Sequence, residues 1–186
     1  MESHGYAQKK RFAILTMVVL IFVGIIVGGN LSIGKEAREL QEYYSRGTDG
    51  DGEAIAVYLS RQSTLSQELL EIAARYFSDD AAEVSEVRVD RTALESAENL
   101  RQQAAANREL SQSVAALGGG LQLRSDLVQE DAVRIATLLE EFEQLQEKIT
   151  QNPYNEKARA FNAELQTLPA AWIARLISVQ PAELFE

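Results

Sequence analysis

The stretch FAILTMVVLIFVGIIVGG carries no charge from Phe12 to Gly29. Eighteen helical residues extend about 27 Å, close to the roughly 30 Å hydrocarbon core of a bilayer. Thr16 is the one conventional polar side chain in it, so the run lacks the polar face that a helix on a soluble domain needs. It predicts a single transmembrane helix. The rival is a cleaved signal peptide, whose apolar region covers about 7–15 residues before a small-residue site. Val27-Gly28-Gly29 imitates such a site only loosely, and the length favours a retained anchor. Lys9, Lys10 and Arg11 abut the N-terminal edge, whereas Lys35, Arg38 and Arg46 are interleaved with Glu36, Glu39 and Glu42. The close basic triplet assigns the N-terminus to the cytoplasm and the body to the outside of the cell membrane. The chain then divides into a basic tail (1–11), a transmembrane helix (12–29), a juxtamembrane helix with a Gly/Asp-rich turn (30–52) and a helical domain (53–186).

The body narrows the chemistry by what it lacks. There is no cysteine, which excludes disulfides, thiolate chemistry and Cys-ligated zinc. The single histidine, His4, precedes the apolar run, so no His-based triad forms in the body. Lys9, Lys10 and Arg11 against Glu2 give residues 1–34 a charge of +2, leaving −12 of the net −10 to the rest. An acidic body repels phosphate backbones, which argues against nucleic-acid binding. Ala, Leu, Glu, Gln and Arg dominate, all good helix formers, and no run alternates with a strand's period of two.

Residues 35–46 read as a helical continuation of the anchor. Gly47 to Glu53, GTDGDGE, break it with turn chemistry. A calcium loop is the functional alternative, but Ala54 and Ser60 stand where an EF-hand needs Gly and Glu. From Glu53 to Ser78, the residues Tyr58, Leu65, Leu69, Ile72 and Tyr76 form a stripe that Gln62 interrupts. Asp79 and Asp80 are expected to cap the following helix. Residues 80–117 read as one long polar helix with a thin apolar face, either solvated or open to a partner, and Gly118-Gly119-Gly120 read as its stop and hinge. Val128, Ile135, Leu138, Phe142, Leu145 and Ile149 make the best heptad, with Asp131 in the missing place. Glu140, Glu141 and Glu143 lie outside that stripe and read as a charged outer face rather than a metal site. The pattern predicts an all-α protein: the N-terminal transmembrane helix, then an antiparallel bundle of three to four long helices plus a short C-terminal one.

The closing segment NPYNEKARAFNAELQTLP repeats an aromatic–Asn pair seven residues apart, Tyr154-Asn155 and Phe161-Asn162. The heptad through Ile149 wants its next core residue at 152 or 153, but the stripe resumes at Tyr154. A continuous helix would be about 140° out of phase. Pro153 absorbs the difference by a kink or by a restart with Asn152 as N-cap. Tyr154 and Phe161 then face the core, and Asn155 and Asn162 sit at the edge of the seam, where an amide sets register by bonding across it. Leu168-Pro169 is expected to end this helix, with AAWIARLISV as a short amphipathic piece after it.

The series Tyr154-Asn155, Ala158, Phe161-Asn162, Leu165, Leu168-Pro169, Ile173-Ala174, Leu176 and the final Pro181-Ala182-Glu183-Leu184-Phe185-Glu186 resembles the C-terminal signature of the LemA family. Arg61-Gln62-Ser63-Thr64-Leu65 echoes the family's Arg-Arg-x-x-Leu helix, and Asp126-Leu127 lies where a similar pair opens its long helix. The interrupted helix after the anchor and Pro153 depart from the pattern. The resemblance implies a membrane-anchored antiparallel bundle of bacterial type. Tyr154, Asn155, Phe161, Asn162, Pro153, Pro169 and Phe185 are the structural and interaction candidates. No catalytic, cofactor or metal residue stands out. The leading expectation is a non-enzymatic envelope protein held in the lipid bilayer by residues 12–29 and binding another envelope protein, with a homo-oligomer left open. The runner-up is a ligand-sensing module that signals through a partner, and an enzyme comes third.

Overall fold

The computed structural model describes residues 3–47, 53–167, 170–176 and 178–186; within the first thirty, side chains are described only at 16, 17, 19, 20, 23, 24, 27 and 28. The described residues form seven helices and no strand: α1 Ser3–Arg46, α2 Ile55–Ala73, α3 Ala82–Ser96, α4 Leu100–Gln122, α5 Gln129–Gln151, α6 Tyr154–Glu164 and α7 Ala170–Leu176. They divide into two compact units, residues 40–159 with 183–186, and residues 1–39 with 160–182.

The larger unit contains the bundle. Helix α2 packs on α3 and α5, α4 packs on the same two, and α2 meets α4 across the middle. The cross-contacts descend on α5 as they climb α2: Lys148–Glu53, Arg61–Glu141, Arg134–Glu68 and Arg75–Asp131. The two helices are therefore antiparallel. Each contributes residues three and four apart to one core. Leu65 and Leu69 come from α2, Val84 and Val87 from α3, Leu110, Leu117 and Leu121 from α4, and Ile135 and Leu138 from α5.

Four local expectations change. Residues 80–117 are two helices rather than one. Asn99 caps α4, its side chain accepting the Gln102 N–H at 2.9 Å, while the Gln102 side chain accepts the Glu98 N–H at 2.9 Å. This is close to a reciprocal capping box. The glycine triplet is not a stop, since α4 continues through it to Gln122. Gly118 is buried, and a Cβ there would fall 2.7 Å from the Leu139 side chain of α5. Its missing side chain serves close helix approach, and burial of Leu117 and Leu121 on either side outweighs the roughly 1 kcal/mol that glycine costs a helix. Asp79 and Asp80 do not cap α3, whose N-cap is Ala81. They precede that position, and no side chain caps α3. Asp79 instead accepts from Arg88 at 2.7 Å, and a hydrogen bond from Ser78 holds the Asp80 carboxyl below its ordinary range. Val128 is not a core residue but the exposed, extended N-cap of α5.

Asp131, the gap in the α5 heptad, is satisfied from α2. It accepts from Arg75 Nη2 at 2.5 Å and from the Tyr76 hydroxyl, and that bond is the main reason the Tyr76 phenol is pushed up. At the far end of α5 the helix restarts rather than kinks. Asn152 is extended, with φ −65° and ψ 125°, as a residue before proline tends to be. Its side chain accepts the Tyr154 N–H at 3.0 Å.

In the smaller unit, α1 supplies Ile33, and the segment 160–182 supplies Phe161, Leu165, Ile173 and Ala174 as buried residues. Helix α6 ends at Glu164, earlier than Leu168-Pro169, which lie outside the described residues, as do Thr48 to Gly52 of the Gly/Asp turn. Gly47, at φ 82°, closes α1 in the left-handed conformation, its N–H reaching the Tyr43 carbonyl at 3.2 Å. Among the described residues no helix is long and apolar enough to cross a membrane. The run Phe12–Gly29 lies inside α1, and many of its side chains are outside the described set.

Gly119 tests the corrected role of the triplet. A Cβ there meets nothing within 4 Å, so Gly119→Ala is expected to stabilise the bundle by roughly 0.5–1 kcal/mol. Urea denaturation reads the change, and a lowered midpoint would restore the hinge.

Candidate interaction site

Helix α6 carries the repeated aromatic–Asn pairs, and its start is set by Asn152-Pro153. In the larger unit the Tyr154 ring is buried edge-on against Tyr44, with centroids 5.6 Å apart. Its hydroxyl donates to the Glu183 carbonyl at 2.9 Å. Asn155 meets Phe185 through both ends of its amide: Nδ2 donates to the Phe185 carbonyl at 2.7 Å, and Oδ1 accepts the Phe185 N–H at 2.8 Å. In the smaller unit Asn162 does the same to Ala182, at 2.8 and 2.7 Å. The amides therefore hold the backbone of the C-terminal segment, not another helix.

Seven helical residues return to nearly the same face, so Asn155 and Asn162 stand on one side of α6, each bound through both ends of its amide to the main chain of one C-terminal residue.

The C-terminal residues also act on the bundle. The Glu183 carboxylate accepts the Leu100 N–H at 3.0 Å, placing an anion at the start of α4 beside the Asn99 cap. Arg159 pairs with Glu186, and Lys157 lies 4.9 Å over the Tyr43 ring. The Tyr44 hydroxyl bonds Gln103 Oε1. Burial, then Tyr154, pushes the Tyr44 phenol up to about 12; burial, then Glu183, raises Tyr154. Both phenols stay protonated at neutral pH and serve as fixed hydrogen-bond donors.

Of the residues singled out in the sequence, Tyr154, Asn155 and Phe185 come together in the larger unit. Phe161 and Asn162 belong to the smaller one, Phe161 buried and Asn162 on Ala182. Pro153 is exposed at the restart, and Pro169 lies outside the described residues.

Two features carried weaker signals. Inside the bundle, Gln62 Nε2, Asn107 Nδ2 and Ser111 Oγ converge on Gln146 Oε1 at 3.1, 2.9 and 3.3 Å. The buried Gln62 Oε1 and Asn107 Oδ1 have no hydrogen-bond partner. Gln62 showed as a polar gap in its stripe; Asn107, three residues from both Ala104 and Leu110, carries the same signal. The second feature is a groove of about 560 Å³ lined by Tyr44, Ser63, Thr64, Gln67, Arg91 and Glu95, among others. There Glu95 Oε1 accepts from Ser63 at 2.6 Å and from Arg91 Nη1 at 3.0 Å, while the buried Arg91 Nε is unpartnered. Among the described residues no group of three or more His, Cys, Asp or Glu side chains is placed to hold a metal ion.

Residues 52–186 match the family model of the LemA family. No curated protein matches the chain.

Two measurements check this geometry. Phe161→Ala is expected to cost roughly 3–5 kcal/mol in urea denaturation if the ring fills a packed core; a loss below about 1 kcal/mol would mean it does not. Alkaline titration checks the tyrosines. The Tyr44 phenol titrates higher in the folded chain than unfolded, so its contribution is complete below about pH 10 and is lost as pH rises through about 12. Stability should fall across that window, and Tyr44→Phe should flatten the fall; an unchanged slope would contradict the assignment.

Proposed function

The chain belongs to the LemA family, and from that premise we propose a membrane-tethered, non-enzymatic helical bundle of the cell envelope that binds another envelope protein. The observation that carries the tether is α1. Met17, Val19, Leu20, Val23, Val27 and Leu31 stand between 50% and 67% exposed along one uncharged run. Apolar side chains in that number are costly to leave in water and suit an acyl-chain environment. The basic triplet before the run supports a cytoplasmic N-terminus and a body on the opposite side.

The partner surface is assigned to the α4–α5 end of the bundle. Leu123 is 89% exposed, and Val128 and Val133 are more than half exposed. The two valines border a groove of about 990 Å³ that also presents Glu68, Arg75, Asp131 and Arg134. Apolar contacts rimmed by charges of both signs suit a protein partner. A photo-crosslinker placed at Leu123 or Val133 in the full chain, in intact membranes, is expected to trap one protein that the same probe at Gln112 does not. Recovery of the uncrosslinked chain alone, in every growth condition, would overturn the binding role.

A second reading, ligand sensing, has one observation in its favour: the unpartnered Arg91 Nε in the groove beside Tyr44. It asks for an acceptor-bearing small molecule. Thermal shift across a metabolite panel, with Arg91→Ala as the comparison, separates this reading from the first.

A further inference from the structure

The chain has a single tryptophan, Trp172, and it is 66% exposed. It sits on the short α7, whose other face is closed: Ile173 and Ala174 are buried at 4% and 6%. Arg175, three residues on, is exposed on the same side as Trp172. A large amphipathic ring beside a cation, on a helix whose Ile173 and Ala174 are already covered, is the composition of a headgroup-level contact.

The position of α7 in its unit points the same way. Residues 160–182 and the first 39 residues form one compact unit. Every described side chain of α1 from Thr16 to Ser32 is exposed, and burial begins at Ile33. The Glu164 carboxyl, at the end of α6, lies beside Glu36 on α1. The segment leading to α7 therefore joins α1 just beyond the apolar run. From Gly29 to Glu36 is seven residues, about 10 Å of helix, a step spanned by a headgroup layer of about 5–7 Å together with the reach of a tryptophan side chain.

We propose that α7 is a membrane-interface element: Trp172 inserts into the lipid headgroup region, with Arg175 at the phosphates, and so fixes the depth and orientation of the unit on the bilayer. This rests on the tether reading above. The committed occupant is a lipid surface. Phosphatidylcholine suffices, because the body is acidic and gains nothing from anionic lipid.

The lone tryptophan makes the test direct. The full chain is reconstituted into phosphatidylcholine vesicles and separated by flotation, and Trp172 emission is read with lipids brominated near the carbonyls or near the chain ends. Trp172→Phe serves as the blank. The expected result is flotation, a blue-shifted emission, loss of most of it to the shallow bromines, and little loss to deep bromines or aqueous iodide. A chain that floats but keeps a water-like emission, open to iodide, overturns the proposal and leaves the tether standing. A blue-shifted emission that no brominated lipid quenches also overturns it, because protein then covers the ring. A chain that fails to float overturns the tether and this proposal with it.

Discussion

The bundle depends on how α2 meets α5. Leu65 and Leu69 on one side and Ile135 and Leu138 on the other are almost wholly buried, and each such side chain contributes about 1.5–3 kcal/mol relative to exposure. That attraction has no preferred register. The ion pairs flanking it, Arg61–Glu141 and Arg134–Glu68, are largely solvated and contribute about 0–1 kcal/mol each. The groups that discriminate one register from a slipped one are the less exposed polar contacts. Asp131 accepts from both Arg75 and Tyr76, and Gln146 receives donors from α2 and α4. A slip of one turn would strand Gln62 and Asn107 among apolar side chains, at about 1–3 kcal/mol for each group left unsatisfied. Packing drives the helices together, and the amides and Asp131 decide where they stop.

That division of labour explains what could be read in advance. The apolar stripes of α2 and α5 were legible because burial follows the 3.6-residue period, and a break at Asn152-Pro153 was legible because the stripe loses phase there, while the choice between kink and restart was not. The α3–α4 break was not, because the apolar face between Leu94 and Ala104 is too sparse to show a phase change. Its real signal was Asn99 followed three residues later by Gln102. The glycines at 118–120 misled because their local cost is plain in sequence, while the close passage of Leu139 depends on another helix. The two aromatic–Asn pairs gave their phase but not their partner. A segment without regular secondary structure such as Ala182–Phe185 has no periodicity to betray where it will lie, and the amides bind its backbone rather than its side chains.

Tyr44 and Tyr154 are part of the same architecture. They pack edge to face, each with its hydroxyl committed to an acceptor, Gln103 Oε1 and the Glu183 carbonyl. A buried phenol held above its ordinary range is a permanent donor, not a proton carrier. Glu183 then links these contacts to the start of α4 through its carboxylate.

Clamps that grip only main-chain atoms are indifferent to what the gripped residues are and strict about where they are. Leu184, between the two gripped positions, takes no part in either pairing through its side chain. Loss or gain of one residue between Ala182 and Phe185 would change the length of chain that joins the two gripped positions. Divergence should therefore be tolerated in the letters of this terminal stretch and resisted in its length.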